Sequence, residues 1–133
     1  MKKYLCLFIL LILTSCTTLS PAVNSISQIE VSEISAEIGK VTEDLKNAAS
    51  LNEYDKLKEV FLPTFKNNYI VKNIEQYDLS RLTFMFSDVK VISKNKANSV
   101  MVINFATASN YYKLTWKKTD DNVWKISNVA EKK

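Results

Sequence analysis

The residue types that most often perform enzyme chemistry are scarce in this 133-residue sequence. There is no histidine, which is the commonest general base and metal ligand, and Gly39 is the only glycine. A glycine-rich phosphate loop is therefore excluded. Two carboxylates and four tyrosines remain as candidates for chemistry: Asp78, Asp88, Tyr69, Tyr77, Tyr111 and Tyr112.

No spacing among these six residues forms a catalytic motif. The simplest role for Asp78 and Asp88 is turn or bulge chemistry, because aspartate side chains bond to nearby backbone groups. The simplest role for each tyrosine is packing, with the ring half buried and the hydroxyl at the surface. On these residues alone, we expect no catalytic site.

The N-terminus is typical of an export signal. Lys2 and Lys3 precede an almost wholly apolar stretch, residues 4–13, which is too short to span a bilayer core of about 20 apolar residues but fits a secretory signal. The ending, Leu13-Thr14-Ser15-Cys16, resembles the lipobox of bacterial lipoproteins.

This resemblance implies that the chain is cut before Cys16 and that Cys16 carries the lipid. The protein would be exported across the inner membrane and held by lipid without a transmembrane helix, since two or more acyl chains give stable anchoring. Thr17, rather than aspartate, follows the cysteine, which favours the outer membrane if the source has two. The alternative is an ordinary cysteine after an uncleaved apolar helix.

The resulting division is a signal peptide at 1–15, a lipidated cysteine with a flexible tether at 16–28, and a single α+β domain at 29–133. With Cys6 removed, no intramolecular disulfide can form. A zinc site would need carboxylates alone, which is unusual. We therefore expect no metal and no cofactor.

Charge is distributed unevenly along the chain. Residues 28–62 contain eight acidic and four basic residues, whereas residues 63–133 contain twelve basic and six acidic ones. The lysines are scattered, with no cluster of arginines and interleaved aromatics, so nucleic acid is not an expected partner. The basic half could instead meet an acidic partner or an anionic membrane, or be only a solvated surface.

Apolar residues first recur at a helical spacing of three and four. One such face is formed by Val31, Ile34, Ile38, Val41, Leu45 and Ala48, after a capping-box pair at Ser27 and Glu30. A short coiled coil would show the same pattern, but a helix on a sheet is favoured. Residues 54–61 predict a second helix, and a weaker third helix is indicated by Phe65, Tyr69, Ile70, Ile74 and Tyr77.

After Asp78 the period changes to two, which is typical of strands. The first predicted strand covers residues 82–91, with a phase slip at Ser87-Asp88 attributed to a β-bulge. A turn at 95–98, strands at 99–107, 111–118 and 123–129, and a turn at 108–110 follow. The prediction is an α+β fold with N-terminal helices packed on a four-stranded curved antiparallel sheet.

The order of elements resembles the cystatin-like, nuclear-transport-factor-like superfamily, including small bacterial lipoproteins with one such domain. The resemblance depends on residues 45–57, on Phe61-Leu62-Pro63 and on the strands with Trp116, Trp124 and Ile126. It implies a conical pocket between helices and sheet. Enzymes of this superfamily usually use an Asp or His base and a Tyr donor, whereas many members only bind.

Three functions are compatible with these observations. The leading hypothesis is a non-catalytic envelope lipoprotein, not an enzyme, which presents a binding or assembly surface to another envelope or surface protein. The second is a carrier of a small apolar ligand. The third is an isomerase- or dehydratase-like enzyme, against which the absence of histidine counts.

Overall fold

The computed structural model describes residues 26–132, so the predicted signal peptide, Cys16 and most of the tether lie outside it. Three α-helices are followed by a 3-10 turn and five strands. The helices are α1 (Gln28–Ser50), α2 (Tyr54–Val60) and α3 (Phe65–Ile74), the 3-10 turn is Leu79–Arg81, and the strands are β1 (Thr83–Phe86), β2 (Lys90–Ser93), β3 (Lys96–Phe105), β4 (Ala108–Lys118) and β5 (Trp124–Glu131). No helix of this part of the chain is long and apolar enough to cross a membrane.

The sheet is antiparallel throughout and is organised around β3. Both β1 and β2 pair with one edge of β3, while β4 pairs with its other edge and β5 pairs with β4. The helices pack on one face of this curved sheet, which confirms the predicted α+β class. The short turns between consecutive strands account for the meander, because antiparallel neighbours need only a few linking residues.

Helix α1 is the long element that covers the sheet. Ser27 caps it, since the Ser27 hydroxyl accepts a hydrogen bond from the Glu30 backbone N–H at 3.2 Å. Its predicted apolar face is buried at Ile34, Ile38 and Leu45. The helix therefore begins and faces the core as the sequence predicts.

The core lies between α1 and the middle of the sheet, and it is filled. Leu114, Trp116 and Ile126 on neighbouring strands are 0% exposed, and Trp124 is 2% exposed. The Trp124 indole N–H also donates to the Glu37 carboxylate on α1 at 2.7 Å. Removing such large aromatic and aliphatic side chains from water supplies most of the favourable free energy of folding.

The prediction of four strands is corrected to five. Ser87 forms the joint between β1 and β2: its backbone N–H donates to Val100 O at 2.8 Å, and its hydroxyl accepts from Val100 N at 2.8 Å. Because one serine satisfies both backbone groups of Val100, the strand can end there and restart after Asp88. The phase slip thus separates two strands instead of marking a bulge within one.

Two predicted turns are shorter than expected. The turn at 95–98 is only Lys94-Asn95, because residues 96–98 already pair with β4 as part of β3. The turn at 108–110 moves to Ala106-Thr107, and Ala106 takes a left-handed φ of 53°. That conformation is uncommon outside glycine, and no sequence signal marks it at an alanine.

The predicted apolar face of the third helix is wrong at its aromatic residues, although Ile74 packs against the core. Phe65 is 92% exposed and Tyr69 is 64% exposed, whereas Val71 and Asn67 are buried. The Asn67 amide N–H group donates to Leu62 O at 2.9 Å, Ile126 O at 3.1 Å and Ser127 O at 3.3 Å. This polar side chain, rather than an aromatic one, joins α3 to β5.

Candidate functional site

A cleft of about 300 Å³ lies between α1 and the joint of β1 and β2 and opens to solvent. Five of its lining residues come from α1 and five from the sheet side: Ser35, Gly39, Thr42, Glu43, Lys46, Phe86, Ser87, Asp88, Val89 and Ser99. Its volume is at the lower end of the range of small-molecule sites. The polar side chains give the cleft both carboxylates and hydroxyls.

Gly39 provides the space on the helix side. A Cβ atom built at Gly39 would have no heavy atom within 4 Å. Glycine is unfavourable inside a helix by about 1 kcal/mol relative to alanine, so its presence here needs another explanation than helix formation. The adjacent Thr42 hydroxyl donates to Gly39 O at 2.7 Å, which holds that hydroxyl against the helix.

Asp88 provides a carboxylate on the sheet side. It follows the Ser87 joint, where the chain leaves β1 and turns back toward β2. Among residues 26–132, no hydrogen bond or ion pair engages the Asp88 side chain, and Asp88 is exposed to solvent. An unengaged carboxylate beside a cavity is able to accept a proton from a bound molecule.

Ser99 provides a buried hydroxyl from the sheet. It is 5% exposed, and its oxygen accepts a hydrogen bond from the Trp116 indole N–H at 2.9 Å. Its own hydroxyl hydrogen has no acceptor among the described residues. Since Trp116 is fully buried, its N–H fixes the position of Ser99 and leaves the hydroxyl hydrogen for a ligand oxygen.

A second carboxylate, Glu43, is already paired. Its Oε1 lies 3.2 Å from Lys46 Nζ, one helical turn away, and both side chains are well exposed. Such surface pairs contribute little to stability. The pair brings no net charge to the rim of the cleft, whereas no described residue pairs with the Asp88 carboxylate.

The six candidate residues of the sequence are not brought together as a catalytic set. Tyr69, Tyr77 and Tyr111 are exposed and Tyr112 is half buried, and none of them lines the cleft. The expectation that an enzyme of this fold would show a buried Asp facing a Tyr across a cavity is not met among the described residues. Only Asp88 is at the candidate site.

Asp78 has a structural role. It begins the 3-10 turn, and its carboxylate accepts hydrogen bonds from Ser80 and from the Asn52 side chain at 2.8 Å. The hydrogen bond from Ser80, followed by that from Asn52, holds the pKa of Asp78 below its ordinary value of 3.8. Asn52, in a left-handed conformation with φ 53°, thereby joins the end of α1 to the 3-10 turn.

A second depression, of about 480 Å³, lies where α1, α2 and the start of β5 meet. Its charged groups include Lys56 and Glu53, whose Nζ and Oε2 are 2.8 Å apart. The hydrogen bond that Lys56 donates to the Glu53 carboxylate raises the pKa of Lys56. The lining of this depression, unlike that of the cleft, holds no hydroxyl group beside the carboxylates, which makes it a weaker candidate. No three His, Cys, Asp or Glu side chains of residues 26–132 gather as a metal site requires.

Sequence reasoning missed Ser99, Ser87 and Gly39. A lone glycine inside a helical pattern is a signal that was available, because such a glycine often has a packing or functional reason. Ser99 gave no signal, since an inward serine on a strand cannot be distinguished from a solvent-facing one until the register is known.

Comparisons with solved structures identify the fold. An NTF-2-like protein of unknown function from Shewanella oneidensis aligns with a TM-score of 0.60 and 14% identity, over 72% of this chain and 96% of its own. A candidate scytalone dehydratase from Novosphingobium aromaticivorans gives 0.60 and 15%, over 80% and 89%. A candidate ketosteroid isomerase from Shewanella frigidimarina gives 0.53 and 16%, over 71% and 93%.

The described part of the chain therefore has the NTF-2-like fold, as the sequence resemblance implied. No family model matches the sequence, and no curated protein matches it. At these identities the likeness is one of fold. It corrects the leading functional hypothesis nonetheless, because neighbours named for dehydratase and isomerase activities favour the enzyme alternative over a non-catalytic binding domain.

Proposed function

We propose that this protein is an acid–base enzyme of the isomerase or dehydratase kind, which acts on a small carbonyl compound in the cleft between α1 and the sheet. The observation that supports it best is the meeting, in one cavity, of the unengaged Asp88 carboxylate and the Ser99 hydroxyl. The names of the fold neighbours agree with this class of reaction.

The chemistry assigns one task to each group. Asp88 takes a proton from the carbon next to the carbonyl, and the electron pair of the broken C–H bond moves toward the carbonyl oxygen. The Ser99 hydroxyl donates a hydrogen bond to that oxygen, which stabilises the developing negative charge. In an isomerisation, Asp88 returns the proton to a different carbon. In an elimination, protonated Asp88 gives the proton to a hydroxyl group on the neighbouring carbon, the C–O bond breaks to release water, and the electron pair returns from the oxygen to form the new C=C bond.

The test uses the purified full-length protein and a small cyclic β,γ-unsaturated ketone as the probe. Conversion to the conjugated isomer is followed by ultraviolet absorbance. Because a positioned general base contributes about 100- to 10,000-fold, we expect Asp88→Asn to lower kcat by at least about 100-fold. Asp120→Asn, at an exposed turn outside the cleft, is the matched control and should retain full activity.

A second pair of variants tests the location of the site. Gly39→Leu places a side chain in the open space of the cleft and should raise KM strongly, whereas Gly39→Ala adds one methyl group and should change it little. The proposal is wrong if the wild type does not convert the probe faster than buffer, or if Asp88→Asn is as active as Asp120→Asn.

We also propose that the protein acts at a membrane, held by lipid on Cys16. This rests on the lipobox resemblance at Leu13–Cys16. Cys16→Ala should abolish incorporation of a fatty-acid analogue and leave the signal uncut, and Ser15→Ala, which keeps a small residue, is the control. Equal labelling of Cys16→Ala and wild type would contradict the anchor.

A further inference from the structure

The outer face of the sheet, opposite the helices, carries a row of lysines. Lys96 on β3 is directly opposite Lys117 on β4, which is directly opposite Lys125 on β5. Their neighbours Ala97 and Trp116 are buried on the inner face. Since successive side chains of a strand alternate between faces, the three lysines all lie on the outer one.

Two further lysines complete this surface. Lys113 and Lys117 are an even number of positions apart on β4, so both lie on the outer face. Lys90 on β2 is directly opposite Asn98 on β3, which also lies on the outer face. Five lysines thus form the basic face: Lys90, Lys96, Lys113, Lys117 and Lys125. None of the five makes an ion pair with a described residue.

Nothing on the outer face neutralises these charges. The strands of the described sheet place no aspartate or glutamate at an outward position. Opposite Cβ atoms on adjacent strands are only about 5 Å apart, and like charges in that arrangement are destabilising. Repulsion within the row Lys96–Lys117–Lys125 therefore destabilises the free protein, and contact with an anionic surface would reduce that repulsion.

The same face also exposes apolar side chains. Met85 on β1 is opposite Val102 on β3, which is opposite Tyr111 on β4. Met85 is 55% exposed and Tyr111 is 48% exposed. Tyrosine is enriched at the level of lipid headgroups, and lysines beside an anionic leaflet contribute to attraction while their stems contact apolar material.

We infer that the basic face docks on a membrane that bears anionic lipid headgroups. A second copy that meets it through the same face is a poor occupant, because it would bring five positive charges against five. An acidic protein partner would also match the positive charge, but the exposed Tyr111 beside the lysines fits the level of lipid headgroups. The inference does not depend on the enzyme proposal, nor on lipid at Cys16.

The first test measures where the protein touches the bilayer. Full-length protein is bound to vesicles of phosphatidylcholine alone or of phosphatidylcholine with phosphatidylglycerol, and accessible lysines are acylated and quantified by mass spectrometry. We expect the anionic vesicles to protect Lys96, Lys113 and Lys117. The exposed helix lysines Lys40 and Lys58 should be acylated equally on both kinds of vesicle.

The second test measures affinity. Because the apolar N-terminus binds both kinds of vesicle, the informative quantity is the ratio of the two partition coefficients. Each lysine near an anionic leaflet contributes about a fivefold factor, so neutralising the three-lysine row as Lys96→Gln, Lys117→Gln, Lys125→Gln should lower the ratio by about 100-fold. High salt should lower the ratio for wild type as well.

The control is a triple variant of equal charge change on the helices, Lys40→Gln, Lys58→Gln, Lys72→Gln. If the ratio of partition coefficients fell equally in both triple variants, net charge alone would explain the effect and the inference would be overturned. So would unchanged acylation of the basic face on anionic vesicles. Protection of the face by proteins of an envelope extract, but not by anionic vesicles, would assign it to an acidic protein instead.

Discussion

Replacing Asn67 should reveal how strongly α3 is held to the sheet. The side chain is 0% exposed, and its amide N–H group serves three carbonyl oxygens, two of them on β5. Its own Oδ1 has no partner among the described residues. Backbone N–H groups also donate to two of these oxygens, Leu62 N to Ile126 O and Thr64 N to Leu62 O, so Asn67 adds a second donor to each of them and links α3 to β5.

The magnitude follows from these contacts. Each hydrogen bond contributes about 1 kcal/mol net, and the third, at 3.3 Å, contributes less. Loss of the unpartnered Oδ1 and the better helix propensity of alanine offset part of the cost, so Asn67→Ala should lower the free energy of unfolding by about 2 kcal/mol. Asn67→Asp keeps the shape but turns a buried donor into a charge facing carbonyl oxygens, and should cost about 3–5 kcal/mol.

The assay is urea unfolding followed by the fluorescence of Trp116 and Trp124, which are buried in the folded protein. Asn68→Ala is the matched control, since Asn68 is the exposed neighbour on the same helix, and it should change the stability by less than about 0.5 kcal/mol. If Asn67→Ala matches this control, or if Asn67→Asp costs no more than Asn67→Ala, the carboxamide does not hold α3 to β5.

Four further predictions concern single side chains. Gly39→Ala should raise the free energy of unfolding by about 0.5–1 kcal/mol, because its methyl group meets open space; a lower melting temperature would mean that the cleft is closed there. Lys117→Glu places an acid between two lysines and should stabilise by about 0.5–1 kcal/mol, whereas no gain over Lys117→Gln would show that the row is already screened. Trp124→Ala should cost about 3–5 kcal/mol in urea unfolding, and an unchanged midpoint would place that ring at the surface. The pKa of Asp78 is lowered in the folded state, so its stabilisation is present above pH 3.8 and is lost as the pH falls through the folded pKa; the stability difference between wild type and Asp78→Asn should shrink below about pH 4, and a difference that is constant down to pH 2 would contradict it.

The long elements could be predicted because apolar residues recur in each of them with a single period. The apolar face of α1 repeats over the whole helix and begins at a capping serine, Ser27. Strand β5 alternates Trp124 and Ile126 toward the core, and both are buried as expected. A long pattern allows one register only, since a slip of one residue would expose the whole apolar set.

Short elements depended on tertiary contacts that no local pattern contains. Helix α3 offers aromatic residues at helical spacing, yet Asn67 is buried instead, and its amide donates to three carbonyl oxygens, two of them about 60 residues away in the sequence. Likewise Ser87 ends β1 because its hydroxyl meets Val100, thirteen residues away. Propensity is a weak guide where such contacts decide.

The candidate site could be predicted only in part. Asp88 was among the carboxylates considered, but Ser99 and Gly39, which line the cleft with it, are not indicated by a sequence without histidine or a catalytic motif. The absence of histidine favoured a non-catalytic domain, and that conclusion was wrong as the leading one because a carboxylate can act as the base. The basic face depends on the pairing register of β3, β4 and β5, which places Lys96, Lys117 and Lys125 in one row.

The bonds of Asn67 have a consequence for association between molecules. Strand β5 is the last strand of the sheet, and an unpaired strand edge is a template on which another chain can add. Here Leu62 N and the Asn67 amide both donate to Ile126 O, and Asn67 also donates to Ser127 O. At these two positions the carbonyl groups that an incoming strand would need already accept hydrogen bonds, so the Asn67 carboxamide hinders the addition of a further strand at this part of the β5 edge.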